Sequence, residues 1–319
     1  MLAIRVHEFG GPEVLRLETV TDPVAGKGQV VVRIRAIGVN PVDTYIRSGA
    51  YGTRPIPFTP GYDGAGEVES VGPGVSGVRV GDRVVVYRPA AGTYAEKTLC
   101  EQREILALPE SFTFEQGASL GVSYFTAYTA LFQRGRAKKG ETVLVHGATG
   151  GVGTACVQLA HAAGLRVFGT GSTEAGRALA RQSGAQAMFD HSRPGYTEEI
   201  RGALGGIGPE LIIEMLANVN LERDLELVGA RGRIVIVGSR GKIEITPRLT
   251  MRGNLDVLGM SLNNSTAEEL LEAWRGIHAG IGSGHVKPVV GEIMRLDQAA
   301  AAHERILAPG AIGKLVLIP

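Results

Sequence analysis

Residues 146–153, which read HGATGGVG, have the types and spacing of a turn that binds phosphate. They follow the apolar run ETVLV and precede a stretch of helical periodicity, which is the context that a dinucleotide site requires. Glycine lets the backbone approach a pyrophosphate, and the start of the helix offers unpaired N–H groups with a partial positive charge. The spacing is a variant of G-x-G-x-x-G, and a glycine-rich turn without a ligand is the alternative. We predict that Thr149, Gly150, Gly151 and Val152 bind a dinucleotide pyrophosphate.

The end of the following strand indicates which dinucleotide the turn favours. NAD-binding sites carry Asp or Glu there, bonded to a ribose hydroxyl. This chain reads FGTGST without an acid at the tip, and Ser172 and Thr173 supply hydroxyls that suit a 2′-phosphate. Arg177 and His191 are candidates for charge and further donors, whereas Glu174 begins the next helix, where acids are favoured anyway. We predict NADPH as the cofactor; N-capping is the alternative or additional role of the two hydroxyls.

The stretch PGYDGAG lacks a metal ligand. With His and Glu in place of Tyr62 and Asp63 it would be the G-H-E-x-x-G signature of zinc alcohol dehydrogenases, and Asn40 stands where their first cysteine ligand lies. A catalytic zinc takes three ligands from Cys, His, Asp or Glu, and a structural zinc usually takes four cysteines. The chain has two cysteines in total, Cys100 and Cys156. We predict no bound zinc, and Asp63 is expected to be a structural carboxylate near a turn.

Loss of the metal restricts the substrate. Reduction of a simple ketone puts charge on an alkoxide whose conjugate acid has a pKa of about 16, like that of water. Hydride addition to a quinone gives a phenolate-like oxygen whose conjugate acid has a pKa of about 10. At about 1.4 kcal/mol per pKa unit, the enzyme is spared about 8 kcal/mol of charge stabilisation. Quinones, and next to them alkenes conjugated to a carbonyl, therefore fit a hydride donor without zinc.

Composition and charge exclude several classes of protein. The chain has 319 residues, with 44% hydrophobic and 20% charged residues, which is typical of a globular protein of two domains. A net charge of +1 without interleaved basic and aromatic residues argues against nucleic-acid binding as the main role. We expect no signal peptide, no membrane span and no disulfide framework, and therefore a cytoplasmic location.

The order of elements that must position these residues predicts an α/β protein. Runs of period-two alternation such as QVVVRIRAIGV and DRVVVY predict a small, strongly bent β domain in the first part of the chain. Alternating strands and helices then predict a parallel sheet with right-handed crossovers. The predicted domains are residues 1–119, residues 120–262 and a return to the first domain over residues 263–319. The strand LDVLGM is expected at the sheet edge, where an exposed apolar strand favours two-fold pairing of subunits.

Several longer motifs carry a resemblance to a known family. The runs EFGGPEVL, GVNPVDTYIRSGAY, YFTAYTAL, GETVLVHGATGGVG, EMLANVNL and VGSRGKIEI extend over nearly the whole chain. In these runs the chain resembles the zeta-crystallin type of NADPH:quinone oxidoreductase, a zinc-free branch of the medium-chain dehydrogenase/reductase superfamily. The resemblance implies a Rossmann-type doubly wound parallel sheet and a GroES-like bent β-barrel catalytic domain. It also implies a homodimer or a tetramer.

The resemblance further implies which residues contact NADPH. They flank the nicotinamide, the pyrophosphate and the adenosine ribose with its phosphate. They are Tyr45, Thr149, Gly150, Gly151, Val152, Ser172, His191, Asn220, Val237, Gly238, Ser239, Arg240, Met260, Ser261 and Leu262. One departure is that relatives often carry glycine where this chain has Ser172. A contact with the 2′-phosphate through the backbone is kept at Ser172, whereas a contact that needs a residue without a Cβ is lost.

Asn40 and Tyr45 are the candidate catalytic residues. Their side chains have the chemistry to hydrogen-bond a quinone oxygen or the nicotinamide amide, with turn stabilisation and ring packing as the alternatives. Arg240 clamps a phosphate, lines the substrate mouth or is a solvated surface residue, and Thr126 contacts the nicotinamide or packs in a helix. No acid–base residue stands out, so we expect catalysis to come mainly from placing donor and acceptor about 3–3.5 Å apart at the cleft between the domains.

Two other functions remain open on the sequence alone. An NADPH-dependent alkenal or enone reductase of the same fold would deliver hydride to carbon instead of a quinone. From a different class, some animal zeta-crystallins act as lens proteins or bind AU-rich RNA.

Overall fold

The computed structural model describes residues 1–52 and 54–319, which pack as two units. One unit combines Met1–Val122 with Pro288–Pro319, and the other comprises Ser123–Lys287. The chain thus leaves the first unit and returns to it, in the manner that the sequence predicts. No helix in the described part of the chain is both long and apolar enough to cross a bilayer.

The elements are numbered in chain order. The strands are β1 (Leu2–Arg5), β2 (Arg16–Thr19), β3 (Gln29–Gly38), β4 (Asp63–Val71), β5 (Arg83–Tyr87), β6 (Lys97–Glu101), β7 (Ile105–Ala107), β8 (Thr142–Val145), β9 (Arg166–Thr170), β10 (Ala187–Phe189), β11 (Leu211–Glu214), β12 (Arg233–Ile236), β13 (Asp256–Gly259), β14 (Val290–Arg295) and β15 (Lys314–Ile318). The helices are α1 (Pro41–Arg47), α2 (Phe114–Gly117), α3 (Gly121–Tyr128), α4 (Gly151–Ala162), α5 (Glu174–Gln182), α6 (Tyr196–Ala203), α7 (Ala217–Leu227), α8 (Arg248–Gly253), α9 (Ala267–Gly282) and α10 (Ala299–Arg305), with a π-helical turn at Thr129–Arg134 and 3₁₀ turns at Pro12–Val14, Gln102–Glu104, Leu262–Asn264 and Leu296–Gln298.

The first unit is built on a sheet that follows the order β14-β15-β3-β4-β5-β7, with β6 also paired to β3. From Val32 to Ala36, β3 buries every second residue and turns Arg33 and Arg35 outward, as the period of two predicts. The antiparallel register of β3 and β4 shifts within both halves of the pairing, and such irregularities bend a strand. Bending of its longest strand pair gives this sheet its curvature.

The second unit contains a parallel sheet of order β10-β9-β8-β11-β12-β13. Its strands lie in the order 3-2-1-4-5-6 along this part of the chain, which is the doubly wound arrangement. β8 and β11 are buried at every residue because helices cover both faces of a parallel sheet. Leu144 of β8 pairs with Phe168 of β9 and with Ile212 of β11, and all three belong to one buried apolar cluster.

Strand β13 ends the order of this parallel sheet and is largely exposed, so the expected edge position of LDVLGM is confirmed. The domain boundary after residue 262 differs from the prediction, because α9 packs within the second unit. Gln133 Nε2 donates to the Glu269 carbonyl at 2.8 Å, and the rings of Phe125 and Trp274 stack at 6.3 Å. The helix buries Ile277 on its inner face. The amphipathic pattern predicts that this face is buried but does not reveal which of the two units it packs against, so the boundary could not be predicted from it.

Candidate active site

The predicted phosphate turn joins strand β8 to helix α4. Gly147 has a φ of +60°, in the left-handed region that favours glycine, and a Cβ added at Gly153 would lie 2.1 Å from the carbonyl oxygen of Gly147. These two glycines therefore permit the tight turn and the close approach of α4. Gly150 is the N-cap of α4 without a side-chain cap, and no acidic residue lies in the first helical turn. The first amides of α4 can thus bind an anion without a competing carboxylate.

The loop after β9 lies against this turn. A Cβ at Gly171 would lie 2.5 Å from the methyl carbon of Thr149, and a Cβ at Gly176 would lie 2.9 Å from the same atom. The Thr149 side chain therefore fills a space that two glycines leave open. This contact brings the predicted pyrophosphate turn next to the loop that carries Ser172.

The tip of the β9 loop carries hydroxyls and no carboxylate. The Thr173 hydroxyl accepts a hydrogen bond from the Gly176 N–H at 3.2 Å and caps α5, so its capping role is satisfied within the chain. The Ser172 hydroxyl makes no hydrogen bond within residues 1–52 and 54–319 and can serve a ligand. Glu174, the complicating acid, is held by Arg177 at 2.9 Å. A ribose at this tip would therefore lie beside a hydroxyl. A hydroxyl can donate a hydrogen bond to a 2′-phosphate, whereas a carboxylate would repel it.

Arg177 supports the loop. Its Nη1 donates to the Gly171 carbonyl at 2.8 Å and lies 3.0 Å from a carboxylate oxygen of Asp190, while its Nη2 binds Glu174. Its ion pairs with Glu174 and Asp190 offset the positive charge that we expected it to offer a phosphate. The geometry therefore favours a positioning role for Arg177, because its guanidinium is already engaged.

His191 is tied to the turn through a buried hydroxyl. Its Nδ1 lies 3.2 Å from Thr170 Oγ1, and the same hydroxyl oxygen accepts the Gly147 N–H at 3.1 Å. Partial burial lowers the pKa of His191, and the neighbouring His146 lowers it further. His191 is therefore neutral at physiological pH and can offer a ligand a hydrogen bond, whereas the expected positive charge is absent.

The ends of β11 and β12 lie close together on the other side of the turn. A Cβ at Gly238 would lie 2.5 Å from the carbonyl oxygen of Met215, so glycine is needed for this approach. Asn220 Nδ2 donates to Glu214 Oε1 at 3.2 Å, which directs its amide toward the protein interior. Arg240 is exposed, in agreement with a residue at the rim of a ligand site.

The carboxyl ends of the parallel strands share one edge of the sheet, where ligands bind in doubly wound folds. Most of the predicted cofactor residues follow these strand ends: Thr149, Gly150, Gly151, Val152, Ser172, His191, Val237, Gly238, Ser239, Arg240, Met260, Ser261 and Leu262. Asn220 lies in the first turns of α7, directly after β11. Thr126 is buried in α3 and is placed by no strand end, so its contact with a cofactor stays a prediction.

In the first unit, the position of the missing metal ligands is filled by a buried ion pair. Lys314, only 3% exposed, donates from Nζ to Asp63 Oδ2 at 2.8 Å and to Asn40 Oδ1 at 2.5 Å. Asn40 Nδ2 also donates to Asp63 Oδ2 at 2.9 Å, and the Val122 N–H donates to Asp63 Oδ1 at 2.8 Å. A Cβ at Gly121 would lie 2.1 Å from Asp63 Oδ1, so glycine is required beside this carboxylate.

This cluster bears on two predictions from the sequence. The donors Asn40 and Asp63 are already bound by the Lys314 ammonium, and Tyr62 offers no imidazole, so this donor set does not fit a catalytic zinc. Asn40 is also only 3% exposed and its amide is fully engaged, which favours its structural alternative over direct contact with a substrate. The Tyr62 ring packs under the guanidinium of Arg88 at 5.2 Å.

A second buried chain of hydrogen bonds holds helix α1. Arg47 Nη1 lies 3.2 Å from His303 Nδ1, and this ring nitrogen must accept the hydrogen bond because a guanidinium only donates. The proton of the neutral ring is therefore on Nε2, which donates to the Tyr94 oxygen at 3.1 Å. Tyr94 in turn donates to Asp43 at 3.3 Å, and the Asn40 N–H donates to the same carboxylate at 2.8 Å. Burial lowers the pKa of His303 to about 3, so this imidazole stays neutral.

We expect Asp43 to make stability depend on pH. Burial raises its pKa to about 7, so the folded protein holds a proton that the unfolded chain releases near pH 4. The stabilisation is therefore complete below about pH 4 and is lost as the pH rises through about 7. The free energy of unfolding of the wild type minus that of Asp43→Asn should fall between pH 5 and 8 in denaturant titrations. Parallel pH curves for the two proteins would contradict this assignment.

Tyr45 projects from α1 into an aromatic pair. Its ring stacks on that of Tyr51 at 5.6 Å with an interplanar angle of 16°, and Tyr51 is 58% exposed. The pair presents a flat aromatic surface with two phenol groups, which agrees with a role beside a planar ligand and also with the alternative of ring packing.

Several polar groups of the two units were not anticipated from the sequence. The clearest case is Lys314, a lone lysine directly before the apolar run LVLI. In the second unit, His146 lies 2.9 Å from Asp224 and 3.7 Å from Glu214, all three buried. Among the described residues this is the group whose acidic and imidazole side chains converge enough to hold an ion. These residues are far apart along the chain, and only the fold unites them.

The doubly wound sheet with a glycine turn after its first strand, together with the curved sheet of the other unit, defines a medium-chain dehydrogenase/reductase. Comparison with known families agrees. Residues 26–131 match the alcohol dehydrogenase GroES-like domain, and residues 151–276 match the domain described as zinc-binding dehydrogenase.

Similarity to individual proteins shows to which branch of this superfamily the chain belongs. The mouse protein named quinone oxidoreductase is 50% identical over all of this chain and 98% of its own. A mycobacterial structure complexed with NADPH is 33% identical with a TM-score of 0.91, and the Escherichia coli quinone oxidoreductase complexed with NADPH is 31% identical with a TM-score of 0.89; both align over 100% of each chain. The chain therefore belongs to the zeta-crystallin-type quinone oxidoreductases.

Proposed function

We propose that this protein is an NADPH-dependent quinone oxidoreductase that works without a metal ion. The observation that carries the proposal is the cluster of Asn40, Asp63 and Lys314, in which an ammonium group binds the donors at the position of the missing metal ligands. The names of the relatives support the quinone as substrate, and the NADPH complexes of two similar structures support the cofactor.

The second unit supplies the proposed cofactor site. The first amides of α4, from Gly151 onward, bind the pyrophosphate because no side chain caps them and no acid lies beside them. The Ser172 hydroxyl and the His191 ring bind the 2′-phosphate side of the adenosine ribose, and Arg240 lies at the rim. When bound, NADPH supplies the hydride.

The substrate side needs no strong Lewis acid. A quinone oxygen that gains charge behaves as a phenolate, whose conjugate acid has a pKa of about 10, so water or a phenol donor such as Tyr45 suffices. Asn40 acts at a distance from the substrate by holding Asp63, Lys314 and the start of α1. Rate enhancement then comes mainly from orientation of the two reactants.

We expect Ser172→Asp to reverse the cofactor preference. A carboxylate at the tip of β9 repels a 2′-phosphate and can bond a ribose hydroxyl. The value of kcat/KM for NADPH should fall about 10- to 100-fold, or about 1.4–2.8 kcal/mol of transition-state stabilisation, while that for NADH is kept or rises. Steady-state kinetics with both cofactors and one quinone measure the effect.

Ser172→Asn is the matched control because asparagine has nearly the same size as aspartate but carries no charge. It should retain the preference for NADPH. Equal losses with both cofactors in Ser172→Asp would mean that the residue does not face the ribose. Turnover of a quinone and of an enone by the wild type, measured side by side, separates the proposed activity from that of an alkenal reductase.

For assembly and location we propose a cytoplasmic homodimer, with a tetramer as the larger alternative. Strand β13 supports this assembly because its edge is exposed and Val257 on it is 38% exposed. Both cysteines are free and buried, which suits a reducing compartment. Light scattering at micromolar concentration distinguishes the monomer, dimer and tetramer.

A further inference from the structure

A buried polar network connects His146 to His191 beneath the phosphate turn. His146 Nε2 lies 2.9 Å from Asp224 Oδ1 and 3.7 Å from Glu214 Oε2. On the other side of its ring, Nδ1 lies 3.4 Å from Thr170 Oγ1, and that hydroxyl is 3.2 Å from His191 Nδ1. His146, Glu214, Asp224 and Thr170 are all buried, whereas His191 is exposed at the outer end of the network.

The hydroxyl of Thr170 restricts how protons are arranged along this network. A hydroxyl has one proton to donate and two lone pairs to accept with. One lone pair is taken by the Gly147 N–H at 3.1 Å. Of the two histidine nitrogens that face the hydroxyl, one must therefore donate to it and the other must accept from it. The protonation of His146 decides between these two arrangements.

The surroundings of His146 favour its doubly protonated form. Two carboxylates face Nε2, with Asp224 at 2.9 Å and Glu214 at 3.7 Å. Burial raises the pKa of Glu214 to about 7, so Asp224 is the carboxylate whose charge acts most strongly on the ring. Burial alone would lower the pKa of His146, but the Asp224 carboxylate outweighs it and the pKa rises to about 9. The other charged group near His146 is Arg223 on α7, which opposes this rise.

We propose that His146, as a buried imidazolium, acts through Thr170 to hold His191 with its proton on Nε2. In this arrangement His146 Nδ1 donates to the Thr170 hydroxyl, the hydroxyl donates to His191 Nδ1, and the exposed His191 Nε2–H is a donor. A neutral His146 would reverse each of these bonds and leave His191 Nε2 as an acceptor, which repels a phosphate oxygen. His146 is thus a positioning residue for the NADPH site.

The charges around His191 agree with this assignment. Asp190 precedes it and binds Arg177 at 3.0 Å, so the two charges largely cancel beside the ring. Burial and the charge of His146 lower the pKa of His191, which keeps the exposed ring neutral. The proposed preference for a phosphate therefore depends on the direction of one hydrogen bond and not on a histidine charge.

The direction of the bonds is a property of the chain alone, whereas the choice of ligand rests on the proposed function. We would record long-range proton–nitrogen spectra of protein labelled with ¹⁵N-histidine, without cofactor, between pH 7 and 8. The variant His191→Gln assigns the exposed ring. The expected result is His191 protonated on Nε2 only and His146 protonated on both nitrogens across this range. His191 protonated on Nδ1, or a neutral His146, overturns the proposal.

A remote substitution tests the relay itself. Asp224→Asn removes the facing carboxylate and should shift the His191 proton from Nε2 to Nδ1, whereas Glu226→Gln, an exposed change on the same helix, should leave it unchanged. Thr170→Val should abolish the fixed tautomer and reduce the ratio of NADH to NADPH dissociation constants several-fold, and Thr170→Ser should restore both. An unchanged His191 tautomer in Asp224→Asn, or a metal ion in place of the proton on His146 Nε2, contradicts the proposal.

The spectra separate failure of this inference from failure of the proposed function. A protein that does not bind NADPH but shows the expected tautomers would retain the relay and lose the cofactor assignment. A protein that binds NADPH with His191 protonated on Nδ1 would retain the function and lose the relay.

Discussion

Replacing Gly153 by alanine is expected to weaken NADPH binding at least about tenfold, a loss of at least about 1.4 kcal/mol. The added Cβ would lie 2.1 Å from the Gly147 carbonyl oxygen and 2.6 Å from Ala148 Cα. Both contacts are with backbone, so no side-chain rotation relieves them. Helix α4 must therefore move away from the turn, and its first amides move with it.

The same substitution should also lower stability by about 1–3 kcal/mol, the usual cost of overpacking a dense site. Fluorescence titration with NADPH and thermal unfolding measure the two effects. The matched control is Gly202→Ala in α6, where an added Cβ meets no atom within 4 Å. Alanine has the higher helix propensity, so this control should bind normally and unfold no earlier. Normal NADPH affinity in Gly153→Ala would place the cofactor elsewhere.

Replacing Lys314 by methionine is expected to destabilise the first unit by about 3–5 kcal/mol, because it leaves the Asp63 carboxylate buried without its countercharge. Asp63 is fully buried and Lys314 is 3% exposed, so water does not compensate for the loss. Methionine keeps most of the volume of the lysine stem, which limits any contribution from a cavity. Denaturant unfolding measures the effect.

A double variant separates charge from packing. Lys314→Met combined with Asp63→Asn removes both charges, and the amide introduced at position 63 can still accept the Val122 N–H. It should recover most of the stability lost in the single variant. Lys27→Met, at an exposed lysine of the same unit, should change stability by less than about 0.5 kcal/mol. No recovery in the double variant would show that the lysine acts by packing alone.

The nucleotide-binding unit could be predicted from its sequence because the required patterns are local. Buried strands such as β8 and β11 read as continuous apolar runs, and the glycine turn follows its strand within a few residues. The placement of Ser172 and His191 after strand ends follows from the parallel order of the sheet. The resemblance to a family added the names of residues such as Asn220, which no local pattern would indicate.

The polar clusters could not be predicted, because they join residues that are distant along the chain. Asp63 and Lys314 are separated by 251 positions, and neither carries a local signal of its partner. Arg177 is a second example. Its position beside the end of β9 predicted a phosphate ligand, but the sequence did not reveal that Asp190 and Glu174 form ion pairs with its guanidinium. The sequence shows where a charged residue lies relative to the strand ends, whereas its ion-pair partner becomes evident only in the folded structure.

The two units divide the chemistry in a consistent way. Around the phosphate turn, the second unit presents backbone amides and hydroxyls, which suit phosphates, and the nearby carboxylates of Glu174 and Asp190 are paired with Arg177. In the proposed function, the buried ammonium group of Lys314 takes the place of a metal centre in the first unit. Under this proposal the enzyme reduces acceptors that stabilise negative charge themselves, and ordinary ketones are expected to be poor acceptors.

The most direct test of this account is quinone reduction by NADPH after exhaustive treatment of the protein with a chelator, with metal content measured on the same sample. We expect metal far below one ion per chain, undiminished turnover of a benzoquinone and negligible turnover of a simple ketone. Stoichiometric zinc whose removal abolishes turnover, and whose return restores it, would contradict the account.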